Sequence, residues 1–203
     1  MLQELRNRHC WIFDLDGTLT KPIHNFERIR KTIGVPANTP ILEYLQTLPT
    51  DAAAELEQKL EDIELKLAYQ AEAEDDVARI LRQLTLLEYK LGVVTRNTTE
   101  IAVITLKAAG LLNYFSMECI LGRDSAVPKP SPAGINHLLT HWDASPDEAV
   151  MIGDYLFDLQ AGKAAGTMTV YFDRKGLSAW NELTDLTVNN FNEFDTGHFA
   201  GTN

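Results

Sequence analysis

Apolar strand-like runs alternate with helical patterns along most of this 203-residue chain, and that alternation restricts the fold more than any other feature. The runs fall at residues 10–15, 91–95, 117–121, 150–154, 167–172 and, more weakly, 186–189. Between the second and third, Asn97-Thr98-Thr99-Glu100 supplies a helix N-cap with a glutamate three residues on. The helix that follows carries Ile101, Ile104 and Leu106 and stops at Gly110. Ser131-Pro132 opens another helix, with Ile135, Leu138 and Leu139, and residues 157–165 form a third, ended by Gly166. Strands and helices in this order predict a three-layer α/β core with a parallel sheet. In open sheets of that kind, ligands bind beyond the carboxyl ends of the strands. Asp14, Thr95 and Asp154 each stand at such an end.

Residues 20–84 break the alternation, with no convincing strand, and are expected to form a small all-helical unit inserted after the first strand. The division is then 1–19 with 85–203 as the core and 20–84 as the insertion. Within it, Thr50 and Asp51 can cap a long helix whose Leu56, Leu60, Ile63 and Leu67 form one buried stripe. Glu55 with Lys59 and Asp62 with Lys66 are favourable i,i+4 pairs on its other faces. The acidic run Glu72, Glu74, Asp75 and Asp76 reads as a solvated hinge back to the core, and the polar tail from Phe191 as a fraying end.

The net charge of −11 opposes nonspecific binding to nucleic acid or to anionic lipid. No apolar stretch approaches the roughly 20 residues of a membrane helix, and the N-terminus lacks the apolar region of an export signal. Cys10 and Cys119 lie in apolar runs and read as core thiols of a reducing compartment. A cytoplasmic protein without nucleic-acid or membrane partners is therefore expected. The long inserted helix leaves monomer and homodimer both open.

Trp11-Ile12-Phe13-Asp14-Leu15-Asp16-Gly17-Thr18 carries the chemistry, because a strand directs Asp14 and Asp16 to the same side. Two adjacent carboxylates repel unless a cation or a shared proton relieves them. Alone, the segment also reads as a strand entering an Asp-Gly turn. Asp14, Asp16 and Asp154 together make an oxygen-rich site for a hard divalent ion, with magnesium favoured over zinc. Thr95, the backbone N–H groups of Arg96 and Asn97, and the Lys129 ammonium would complete a phosphoryl cradle. Each has a plainer reading: Thr95 as a strand-end residue, Asn97 as a helix cap, Lys129 and Asp158 as surface charges. Lys21, His24, Arg28, Arg30 and Lys31 form a basic cluster at the entrance to the insertion. Lys21 and His24, nearest the aspartates, are candidate substrate contacts.

These segments resemble the four motifs of the haloacid dehalogenase (HAD) superfamily, in order: Phe13-Asp14-Leu15-Asp16-Gly17-Thr18, Val94-Thr95-Arg96-Asn97, Lys129-Pro130, and Gly153-Asp154-Tyr155-Leu156-Phe157-Asp158. The resemblance is nearest to phosphoglycolate-phosphatase-like members of subfamily IA, which carry a helical cap between the first two motifs on a Rossmann-like core. It implies a magnesium-dependent phosphatase acting on a small phosphorylated metabolite, phosphoglycolate-like or a sugar phosphate, through an aspartyl-phosphate. Asp14 would be the nucleophile and Asp16 the acid and base, with Thr95 and Lys129 holding phosphate. Magnesium would be held by Asp14, the Asp16 carbonyl and Asp154, with Asp158 reaching a metal-bound water or orienting Lys129. The Arg96 backbone is expected in the cradle, its side chain either in solvent or on substrate.

Three other readings compete with this one. A sugar phosphomutase of β-phosphoglucomutase type shares the motifs but needs a well-closing cap with a sugar-specific loop, of which this short insertion gives no sign. A receiver-like phosphoacceptor module places no acidic strand end after its lysine, whereas Asp154 follows Lys129. Dehalogenases of the superfamily lack the second aspartate, which is present here as Asp16. Where near relatives continue with Asp-Ser-Pro after the first motif, this chain has Thr20-Lys21-Pro22, so phosphoglycolate specificity transfers weakly.

Overall fold

The computed structural model describes residue 5 and residues 7–194. Its sheet contains β1 (Cys10–Phe13), β2 (Lys90–Val94), β3 (Ile120–Leu121), β4 (Ala149–Gly153), β5 (Met168–Phe172) and β6 (Leu186–Val188). All neighbours are parallel, in the order β3-β2-β1-β4-β5-β6. Side chains of β1 alternate between the two faces: Trp11 and Phe13 enter one apolar cluster, Cys10 and Ile12 the other. Helices α4 (Val77–Leu86) and α5 (Thr99–Ala108) cover the first face through residues such as Ile80, Leu84, Ala102 and Leu106. On the second face, α6 (Ala133–Trp142) and α7 (Leu156–Ala165) bury Ile135, Leu138, Ala161 and Ala165. This is the Rossmann-like three-layer core that the alternation predicts. Both cysteines are free and buried in the second layer.

Local chemistry changes several boundaries. Residues 117–119 turn into a 3-10 segment and leave β3 two residues long. Thr98, not Asn97, caps α5, its side chain accepting from the Ile101 N–H. The long helix of the insertion begins at Thr50 after Pro49, so Thr50 and Asp51 occupy its first turn and cap nothing.

Helices α1 (Phe26–Ile33), α2 (Ile41–Leu45) and α3 (Thr50–Ala68) enclose a small apolar cluster of their own, including Ile29, Ile33, Ile41, Leu45 and Leu60. The expected boundary at residue 84 needs correction. Val77, Ile80, Leu81 and Leu84 of α4 are completely buried in the cluster that holds Trp11 and Phe13, so this helix belongs to the core layer. The insertion enters and leaves side by side: the Lys21 N–H donates to the Glu72 carbonyl (3.0 Å) and the Glu74 N–H to the Leu19 carbonyl (2.9 Å). Nor is the acidic run simply solvated. Glu74 pairs with Arg174 of the core, and Asp76 accepts from Asn192 (2.6 Å). Phe191 and Phe194 are buried as well, stacking toward Phe172 and Trp11 with ring centroids 4.8 and 5.6 Å apart. The expected fraying, placed at least at the end of the tail, falls on residues 195–203, which lie outside the described residues.

Candidate active site

The strand order reverses between β1 and β4, and the carboxyl ends of those two strands carry Asp14 and Asp154. Asp14 prolongs the ladder, its N–H donating to the Ile152 carbonyl at 2.8 Å. The chain then turns at Gly17 with φ +96°, where a Cβ would stand 2.3 Å from an Asp154 carboxylate oxygen. At the end of β4, a Cβ on Gly153 would stand 2.2 Å from the Cβ of Asp158. Glycine at both positions lets backbone pack directly against the acidic side chains.

Lys129 reaches into this crevice from the loop before α6 and is only 1% exposed. Its Nζ donates to Asp14 Oδ1 at 2.6 Å and lies 2.7 Å from Asp158 Oδ1, while the other Asp158 oxygen accepts from the Tyr155 N–H at 3.0 Å. Carboxylate oxygens of Asp14, Asp154 and Asp158 lie within 4.8 Å of one another. Burial pushes the Asp14 carboxyl up to about 7, with Lys129 pulling against it and Asp158 and Asp16 adding to it. Asp154 is pushed up to about 8 by burial and then by Asp14 and Asp158. Protein cations leave this pair undercompensated.

Asp16 has different partners. Its Oδ2 accepts from Asn97 Nδ2 at 2.6 Å, and its Oδ1 faces His24 Nδ1 at 3.6 Å. Burial raises the Asp16 carboxyl to about 7 against the pull of Lys129, and burial lowers His24 to about 4, so the imidazole is neutral near pH 7. Because Thr98 takes over the helix cap, the Asn97 side chain is free for Asp16. Thr95 is buried beside it, and its hydroxyl oxygen accepts from the Asn97 N–H at 3.2 Å.

The remaining sequence candidates separate. Lys21 pairs with Asp75 at 3.0 Å at the neck of the insertion. Arg96 is partly exposed and held at the seam: its Nη2 meets both Glu43 oxygens of α2 at 2.9 and 2.8 Å, Nη1 donates to the Lys129 carbonyl, and its guanidinium lies 4.6 Å above the Phe157 ring.

Two further ion pairs escaped the sequence reading. Arg123, two residues beyond β3, donates from Nη1 to Glu64 of α3 (2.9 and 3.2 Å) and to the Arg96 carbonyl (2.9 Å). Burial pushes Glu64 up to about 7; Arg123 opposes this, and Asp16 and Glu61 add to it. Arg174, two residues beyond β5, donates to the Gly17 carbonyl at 2.9 Å besides pairing with Glu74. Both arginines follow strand ends, and Glu64 falls in i,i+4 register with Leu60 and Ala68 on the buried side of α3. Those positions were the available signals.

A family model described as haloacid dehalogenase-like hydrolase matches residues 11–172, which spans all four motifs and the insertion. The chain belongs to this family. An uncharacterized hydrolase of Saccharomyces cerevisiae is 28% identical to this HAD hydrolase over 199 residues, covering 95% of this chain and 91% of the yeast protein. Pyrophosphatase PpaX of Bacillus pumilus is 30% identical over 173 residues, covering 78% of this chain and 80% of its own length. Among solved structures, a HAD hydrolase of family IA, variant 3, from Entamoeba histolytica superposes with a TM-score of 0.76 at 16% identity, over 94% of this chain and 96% of that one.

The family implies a divalent cation, and the donor set of this HAD hydrolase fits one. Asp14 and Asp154 offer hard oxygen ligands whose charged forms are disfavoured first by burial and then by neighbouring carboxylates, a cost that a bound cation would offset. Asp158 shares the cluster, and its two oxygens also meet Lys129 Nζ and the Tyr155 N–H. The Asp16 side chain stands outside the cluster, so that residue has only its backbone carbonyl to offer a metal. Among the described residues no helix is long and apolar enough to cross a membrane.

Proposed function

We propose that this HAD hydrolase is a magnesium-dependent phosphatase that hydrolyses a small phosphorylated metabolite through an aspartyl-phosphate. The unequal surroundings of Asp14 and Asp16 carry the reading. Asp14 lies beside Lys129 and the acidic cluster, where a nucleophile needs positive charge across the transferred group. Asp16 is held by Asn97 and faces a neutral His24, where an acid and base needs a fixed orientation and a pKa near the working pH.

In the first step, an Asp14 carboxylate oxygen attacks phosphorus and the phosphorus–oxygen bond to the leaving alcohol breaks. Protonated Asp16 gives its proton to that oxygen. In the second, Asp16 takes a proton from water as the water oxygen attacks phosphorus, and the bond to Asp14 breaks to release inorganic phosphate. Lys129 and the Thr95 hydroxyl hold phosphoryl oxygens, together with the backbone N–H groups of Arg96 and Asn97. Asp14, Asp154 and the Asp16 carbonyl would hold magnesium, which supplies positive charge to the phosphoryl oxygens. Asp158 keeps Lys129 aimed at Asp14.

The test is phosphate release from p-nitrophenyl phosphate and a panel of phosphorylated metabolites, with magnesium or with EDTA, for the wild type and Asp14→Asn. Turnover that needs magnesium and disappears in the variant is expected. Turnover that survives Asp14→Asn would overturn the mechanism.

A further inference from the structure

The seam between the helical insertion and the core bears on which leaving group the site accepts. Two arginines on the core loops face the insertion there, and each already carries a carboxylate from it. Arg96, between the cradle residues Thr95 and Asn97, is held by Glu43 along one edge, by the Lys129 carbonyl at Nη1 and by Phe157 beneath its plane. Arg123, tied to the same loop through the Arg96 carbonyl, is held by Glu64, with Glu61 at 3.6 Å. On the far side of the crevice, Arg174 is held by Glu74. Lys129 is shared by Asp14 and Asp158. Each of these four cations therefore has an acidic partner within the chain.

Resting on the phosphatase reading, we infer that this site selects phosphomonoesters whose leaving group carries no further negative charge, with Glu64 and Glu43 as the residues that enforce the choice. Beyond the transferred phosphoryl group, an added carboxylate or phosphate on the substrate meets, among those named, only cations already paired, with Arg123 Nη2 and Arg174 Nε their donors left without a hydrogen bond. It is brought instead toward the Glu64 and Glu61 carboxylates that flank Arg123, where like charge costs affinity. An incoming anion does not readily replace Glu64. That carboxylate is 8% exposed on an interior turn of a 19-residue helix, so its effective concentration at Arg123 is that of an intramolecular partner. Hydroxyl-rich or uncharged leaving groups avoid the repulsion and find polar neighbours in Asn97 and in neutral His24. The site thus differs in expected substrate charge from a pyrophosphatase, the name its Bacillus pumilus relative bears.

The experiment compares kcat/KM at pH 8 with magnesium for two sets of phosphorylated substrates. One set has uncharged alcohol leaving groups (glycerol phosphate, a sugar phosphate, a nucleoside monophosphate), the other charged ones (the ester phosphoglycolate and the anhydride pyrophosphate). The wild type is expected to favour the best of the first set over both of the second by about tenfold or more, the scale of one unfavourable charge contact. In Glu64→Gln, which releases Arg123, that ratio should fall by about tenfold, chiefly through a lower KM for the charged substrates. Glu43→Gln, at a more exposed position, should move the ratio the same way by a smaller factor. It provides the same readout where Glu64→Gln does not fold. A wild-type preference for phosphoglycolate or pyrophosphate overturns the inference while leaving the phosphatase reading intact. So does a ratio that neither substitution changes. If no substrate of either set is turned over, the phosphatase reading fails and the inference falls with it.

Discussion

The crevice and the seam above it are both built from paired charges, yet they are held in different ways. In the crevice, Asp14, Lys129 and Asp158 are nearly inaccessible and paired with one another, while burial, Asp14 and Asp158 raise Asp154 beyond what Arg174 and Lys129 offset. In the seam, Arg96–Glu43 is partly solvated, its side chains 23% and 42% exposed, whereas Arg123–Glu64 is close to buried. The first region stores charge that a ligand must relieve. The second is already neutralised and acts as a tie between layers. Substitutions in the crevice should therefore affect chemistry most, and substitutions in the seam should affect selectivity before stability.

The largest effect is expected from Asp14→Asn, which removes the attacking oxygen and should lower phosphate release by about 10³-fold or more, measured under saturating magnesium. Residual activity near wild type would move the chemistry out of the crevice. Lys129→Met should follow. It removes the cation that Asp14 and Asp158 share, and breaking a buried pair from one side costs about 3 kcal/mol, to be read from urea unfolding at pH 8. A loss below about 1 kcal/mol would show that the crevice tolerates unpaired carboxylates as easily as the seam tolerates exposed ones.

Next comes the pH dependence. In the folded protein, Asp14 is raised to about 7 and Asp154 to about 8, from 3.8 for the ordinary carboxyl. The folded state therefore keeps protons that the unfolded chain has released. Their contribution to stability is complete below about pH 4 and is lost as pH rises through 7 to 8. Without metal, the unfolding temperature should drop across pH 5 to 8. Magnesium at a hundredfold excess over its Kd should restore about 5–10 °C at pH 8 and less at pH 6, where protons compete. The same restoration in Asp154→Asn would remove Asp154 from the metal site.

What was legible in the sequence follows the same division. Strand ends are local: β1 and β4 are apolar runs followed at once by acidic residues, so Asp14, Asp16 and Asp154 could be placed before any coordinates. Thr95 and Lys129 were legible through motif order. The seam is tertiary. Glu43 lies 53 residues from Arg96 and Glu64 lies 59 from Arg123, and nothing in local periodicity pairs them. Periodicity also marked α4 as helical without saying which layer would take its apolar face, which put the insertion's end near residue 84 when the helix packs against Trp11 and Phe13. Phe191 and Phe194 were hidden for a related reason: two aromatics in a polar stretch carry no period, and only the exposed end of the sheet's apolar face calls them in. The Lys21–Asp75 pair across the neck was not legible, because proximity in sequence to Asp16 does not fix the direction of a side chain.

The smallest effect separates the two ties of the seam from each other. Glu43→Gln removes a carboxylate that is 42% exposed, and solvent screens such pairs, so unfolding free energy should change by less than about 1 kcal/mol. Arg96 keeps its other contacts, the Lys129 carbonyl and the Phe157 ring, and so keeps its place. Glu64→Gln should cost more, because Arg123 is left with its charge in a nearly dry site and only the Arg96 carbonyl and Glu61 nearby. Urea midpoints of the two variants at pH 8, where Glu64 is ionised, decide the order. Equal small losses would mean that water reaches Arg123 as freely as Arg96 and that the seam is uniformly soft. A larger loss for Glu43→Gln would make α2, not α3, the element that holds the insertion down.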